Sequence, residues 1–70
     1  MKVKDIISHI VDNYLKIVVE VFDSKTHLIK ERYSIPPHAN AFGGIPEDVW
    51  EMEVGMLVVH FDCLVISVME

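Results

Sequence analysis

The chain has a single cysteine, Cys63, which excludes an internal disulfide and suits a reducing cytoplasm better than an oxidising compartment. It has no run near the ~20 apolar residues of a membrane span. The start, "MKVKDIISHIVDNYL", is interrupted by Asp5, His9 and Asp12 and lacks the unbroken apolar segment of a secretion signal. A cytoplasmic protein that does not engage a membrane is therefore expected. Basic residues are also few: six against 11 acidic ones, for a formal net charge of −5. Non-specific nucleic-acid affinity rests on Lys and Arg neutralising phosphates, so direct nucleic-acid binding is not expected. Glycine and proline number three each, and two of each fall in one stretch, "IPPHANAFGG".

Apolar surface, by contrast, is abundant. Hydrophobic residues make up 51% of the 70, and the mean hydropathy is +0.34. A chain of this size forms one domain that buries a modest fraction of its surface, so it needs a disulfide, a metal or a partner chain for comfortable stability. With the disulfide excluded, the apolar excess favours a partner chain.

In "DIISHIVDNYL", Ile6, Ile7, Ile10, Val11 and Tyr14 recur at helical spacing and predict an amphipathic helix. From Lys16 the period changes to two in "KIVVEVFD" and again in "HLIKERYS", which predicts a hairpin. Pairing Val21 with Ile29, Glu20 with Lys30 and Ile17 with Tyr33 gives that hairpin one opposite-charge pair and two apolar ones. Residues 35–44, "IPPHANAFGG", read as a loop. "IPEDVWEM" reads as a short helix with Pro46 at its start and Glu47 and Asp48 in its first turn. A second hairpin follows, Val54 to Val59 and Leu64 to Met69, pairing Val59 with Leu64, Leu57 with Ile66 and Gly55 with Val68.

These elements make one α+β domain in the order α-β-β-α-β-β, with the N-terminal helix and one short helix packed on an antiparallel sheet of two β-hairpins. The expected core is Ile6, Ile10, Val11, Tyr14, Ile17, Val19, Val21, Ile29, Val49, Leu57, Val59, Leu64, Ile66 and Val68. The opposite face of the second hairpin carries Val54, Met56, Val58, Val65 and Met69, relieved only by His60, Cys63 and Ser67. A sheet wetted on one side alternates apolar with polar residues, and this hairpin does not. Val54, Met56, Val58, His60, Cys63, Val65 and Met69 are thus expected to form an interface between copies, most simply in a symmetric dimer.

His60 and Cys63 are close enough in such a hairpin for the histidine to activate the thiol or for both to bind zinc. A zinc site needs further ligands in a recognised spacing, and a catalytic pair needs an orienting group and an oxyanion site. Neither is evident, so the pair is read as structural or interfacial, and no catalytic residue, metal or cofactor is expected. His38, Asn40 and Phe42 in the loop are candidates for ligand or partner binding. Glu47, Asp48 and Glu51 are candidates for contact with a basic partner.

The arrangement of "KVKDII", a strand hairpin, "IPEDVWEMEV" and a terminal "LVISV" resembles small proteins encoded in phages and mobile elements of Gram-positive bacteria. The long "PPHANAFGG" link departs from that pattern. The resemblance implies an accessory product that binds and blocks a host protein, such as a component of bacterial immunity. A small-ligand sequestering protein with a pocket between subunits, and a zinc- or thiol-dependent protein using His60 and Cys63, are the alternative readings.

Overall fold

A computed structural model of the chain describes residues 1–8, 15–36 and 44–70. Its elements are α1 (Val3–Ile7), β1 (Lys16–Phe22), β2 (Ile29–Ile35), α2 (Glu47–Trp50), β3 (Val54–Val59) and β4 (Cys63–Met69), which is the expected α-β-β-α-β-β order. α1 begins where Asp5 turns back to accept the Lys2 backbone N–H at 2.9 Å. That contact satisfies one of the amides a helix start leaves open and sets a negative charge against the helix dipole. Expected core residues Ile10, Val11 and Tyr14 lie outside the described residues. α2 follows Pro46, whose extended backbone stands at the cap.

The four strands form one sheet in the order β2-β1-β4-β3. Both hairpins are antiparallel, as expected, but they join through β1 and β4, which run parallel from Lys16 opposite Cys63 to Phe22 opposite Met69. The sheet is thus mixed rather than wholly antiparallel. Strands buried on both sides belong in the middle of such a sheet and read as near-continuous apolar runs. "IVVEVF" and "CLVISV" do so, as does "VGMLVV" of the outer strand β3.

α1 and α2 cover one face. Val3 and Ile7 of α1 and Val49 of α2 pack with Ile45 onto Ile17, Val19 and Val21 of β1, Ile35 of β2, and Ile66 and Val68 of β4. Ile6, Tyr33, Trp50, Met52, Val54 and Leu64 flank this cluster, partly buried. The N-terminal segment is tied to the start of β3, with Val3 N–H donating to Met52 O at 3.0 Å and Val54 N–H to Met1 O at 2.8 Å.

Three expected core residues lie neither in this cluster nor against it. Ile29, Leu57 and Val59 are large exposed hydrophobics, and Val3, Ile7, Ile35 and Ile45 are buried instead. Leu57 and Val59 do point to the helix-covered side, since they pair with Ile66 and Leu64. They stay open because β3 is an outer strand.

Ile29 is displaced by register. In the first hairpin Ile17 faces Ile35, Val19 faces Tyr33 and Glu20 faces Arg32, two residues from the expected pairing. The longer connection, Asp23 to Leu28, makes room for this. Asp23 accepts the backbone N–H groups of Lys25 at 2.7 Å and Thr26 at 3.2 Å, which holds its carboxyl below the usual range. His27 takes a left-handed φ of 61° and donates its N–H to Asp23 O at 2.9 Å. From Ile17 to Val21 this even-numbered slip keeps side chains on their faces, so the opposite-charge pair survives with Arg32 in the place of Lys30, but a bulge then sets Phe22 opposite Ile29 and turns Ile29 to the side away from the helices.

Three outcomes are expected in urea unfolding. Ile66→Ala, at a fully buried position, lowers stability by about 2–5 kcal/mol, while Leu28→Ala in the exposed loop changes it by no more than about 0.5 kcal/mol. His27→Gly, which relieves the left-handed backbone, raises it by up to about 1 kcal/mol.

Candidate functional site

The face of the sheet away from the helices divides into two halves. On the β2 side, Arg32 and Glu20 form an ion pair, with Arg32 Nε 3.0 Å from Glu20 Oε2. Lys30 donates to Glu70 at 2.6 Å near the same border. Next to this polar margin sits Val18, buried between its sheet neighbours Ser34 and Val65. On the β4 and β3 side, Val65 lies beside Val58, and Ser67 beside Met56, with Met69 next to Phe22. Met56 and Met69 are exposed, and Val58, Val65 and Phe22 are half-buried. The apolar face expected from the second hairpin is therefore present, and among the described residues nothing covers it.

Val54 is the exception. β3 carries a bulge at Gly55, so that Val54 pairs with Val68 and Met56 with Ser67. One extra residue inverts the alternation. Val54 turns to the helix-covered side and packs against the core, and it leaves the expected interface. The bulge also displaces the expected pairing of Gly55 with Val68.

His60 and Cys63 close the second hairpin. The His60 backbone N–H donates to Cys63 O at 2.8 Å, leaving Phe61 and Asp62 as the two-residue turn. His60 is exposed and Cys63 half-buried, and by alternation both belong to the open face. Among the described residues, no three His, Cys, Asp or Glu side chains come together to hold a metal ion.

The acidic candidates separate as well. Glu47 and Asp48 are exposed on α2, whereas Glu51 accepts Lys4 Nζ at 2.9 Å and Lys2 Nζ at 3.0 Å. Hydrogen bonds from Lys4 and then Lys2 hold the Glu51 carboxyl below its ordinary value of 4.5, and the same contact raises Lys4. Glu51 thus joins α1 to the end of α2 and is engaged within the chain, unlike its two neighbours. Four of the six basic residues, Lys2, Lys4, Lys30 and Arg32, meet carboxylates in this way. The loop candidates His38, Asn40 and Phe42 lie outside the described residues.

A cavity of about 340 Å³ opens beside the bulge, lined by Phe22, His27, Gly55, Met56, Ser67, Val68 and Met69. Its lining is mostly apolar, and only Met56 and Met69 of these residues belonged to the expected site. The bulge that makes room for it carries a signal in the sequence, a lone glycine in an otherwise apolar strand. Trp50 is half-buried and donates its indole N–H to Ile45 O at 3.1 Å.

No protein-family model matches the chain, nor does any curated protein or solved structure compared with it. No helix among the described residues is long and apolar enough to cross a membrane.

The Glu51 contacts give a pH prediction. A carboxyl depressed in the folded state stabilises that state above its unfolded value and loses the contribution as pH falls through the folded one. Lowering pH from 5 towards 3 should therefore weaken the wild type more than Glu51→Gln. An NMR titration of Glu51 should give a midpoint below 4.5 that rises in Lys4→Ala.

Proposed function

We propose that the chain is a small non-enzymatic binding protein that associates with a second copy through the open face of its sheet. In its host it acts as an accessory product of a phage or mobile element, binding and inhibiting a host protein such as a component of bacterial immunity. The observation that carries the self-association is the apolar half-face of Met56, Val58, Val65 and Met69 around the half-buried Phe22. Removing each such side chain from water is worth about 1.5–3 kcal/mol before the costs of association. For so small a domain that is a large increment against a typical stability of about 5–15 kcal/mol.

Two features support the rest of the reading. The resemblance of "KVKDII" and "IPEDVWEMEV" to mobile-element proteins supports the accessory role. The outward carboxylates of Glu47 and Asp48 offer a small acidic patch to a basic target, set apart from the open face.

Light scattering of the dilute protein should give at least twice the chain mass, and Val65→Lys should halve it while leaving the far-ultraviolet circular dichroism unchanged. A wild type that is already monomeric, with the same mass in Val65→Lys, would defeat the self-association. For the target, tagged protein expressed in its own host should retain a partner that Glu47→Lys with Asp48→Lys releases.

A further inference from the structure

The two edges of the sheet differ. β2 carries Lys30, Glu31 and Arg32 in succession, which is how natural edge strands discourage pairing. β3, "VGMLVV" from Val54 to Val59, carries no charge and no proline. Its start is occupied, because Val54 N–H donates to Met1 O and Lys2 bridges Glu53. Beyond the Gly55 bulge no described residue pairs with the outer side of this edge.

The direction of the open groups follows from the turn. His60 and Cys63 are a hydrogen-bonded pair, so Val58 opposite Val65 and Met56 opposite Ser67 are also bonded pairs, and the backbone groups of Leu57 and Val59 point outward. The same two residues expose their side chains, Leu57 at 50% and Val59 at 67%. Backbone donors, acceptors and apolar side chains thus coincide at one short segment, a ready template for another strand.

We infer that this segment is a second self-association site, at which β3 of one copy pairs antiparallel with β3 of another to make a continuous sheet of eight strands. The register with its two-fold axis at Val58 sets Leu57 of each copy opposite Val59 of the other, so the outward groups of both residues find partners. Two Leu57 and two Val59 side chains then meet on the helix-covered side. In that register the hairpin tip of one copy, with its fully exposed Phe61, falls beside the Gly55 bulge of the other. Gly55 offers no side chain there, and the cavity next to it is apolar. An aromatic ring against a strand glycine restores the packing that the glycine lacks.

Three features favour a second copy over a foreign strand. The exposed ring and the space beside the glycine sit on one chain at mutually opposed positions. The open segment is bounded by the Met1–Lys2 contact at one end and the hairpin turn at the other, so it matches its own length. A chain of net charge −5 repels its copy everywhere except along an uncharged strip, and β3 is one. This site stands independently of the open face, since the face is covered by stacking and the edge by lateral pairing.

Native mass spectrometry and amide exchange of the full chain test it, with Val59→Lys, Val59→Pro and Val65→Lys. The Val59 N–H points away from β4, so proline there removes only an outward donor. If Val59→Pro fails to fold, Val59→Lys carries the test, because its side chain is already mostly in water. Both Val59 variants should halve the mass of the assembly, and the Leu57 amide should be protected in the wild type and exchange at least tenfold faster in Val59→Lys. Unchanged mass in the Val59 variants, or a rapidly exchanging Leu57 amide in the assembled wild type, overturns the inference. A foreign strand as the true occupant gives that second result, with protection returning only when its protein is added. If Val65→Lys leaves the mass unchanged while the Val59 variants halve it, the open-face reading fails and the edge site stands.

Discussion

The parallel pairing of β1 with β4 is the constraint from which the remaining geometry follows. It places two strands that are apolar on both sides at the centre, where Ile17, Val19, Val21, Ile66 and Val68 meet the helices on one face and Val18 lies beside Val65 on the other. Because parallel neighbours cannot be joined by a tight turn, everything between them must serve as the crossover. Among the described elements that crossover holds β2, α2 and β3, and its two strands are forced outward to opposite edges.

The edges then acquire unequal characters. β2 holds the charged residues and the ion pairs with Glu20 and Glu70, and it meets water on terms the side chains can sustain. β3 holds none, and its residues face either the apolar half-face or the exposed end of the helix layer. The same asymmetry splits the open face into a polar margin and an apolar field. The proposed association surfaces thus lie mainly on the second hairpin, with Phe22 of β1 at their border.

Much of this was legible in residue order. Periodicity located every strand to within two residues, and the second hairpin's register held from Leu57 to Leu64, since a two-residue or a four-residue turn gives the same pairing. The first hairpin's register did not, because a connection held by Asp23 and a left-handed His27 admits more than one pairing, and glycine does not mark it. The face assignment survived from Ile17 to Val21, where a slip of two preserves it, and failed at Ile29, which a bulge sets opposite Phe22. What pairwise strand matching cannot express is which hairpin strands meet in the middle. Leu57 and Val59 were therefore expected inside a core that Ile35 and Ile45 fill. The double-sided apolarity of "IVVEVF" and "CLVISV" suits the centre without singling them out, since "VGMLVV" shares it, and the glycine at position 55 signals the inversion of Val54.

Strand order also carries a consequence in time. Synthesis runs from β1 to β4, so the neighbour that β1 requires on its inner side is the last strand to leave the ribosome. Until then the first hairpin exposes a strand apolar on both faces with one unpaired edge, and a two-stranded hairpin is marginal by itself. The long sequence separation of the central pair makes its closure the slow, entropically demanding step of folding. Nascent chains on one messenger pass through a state in which the inner edge of β1 is open to any β4 that emerges nearby, including one from a neighbouring ribosome.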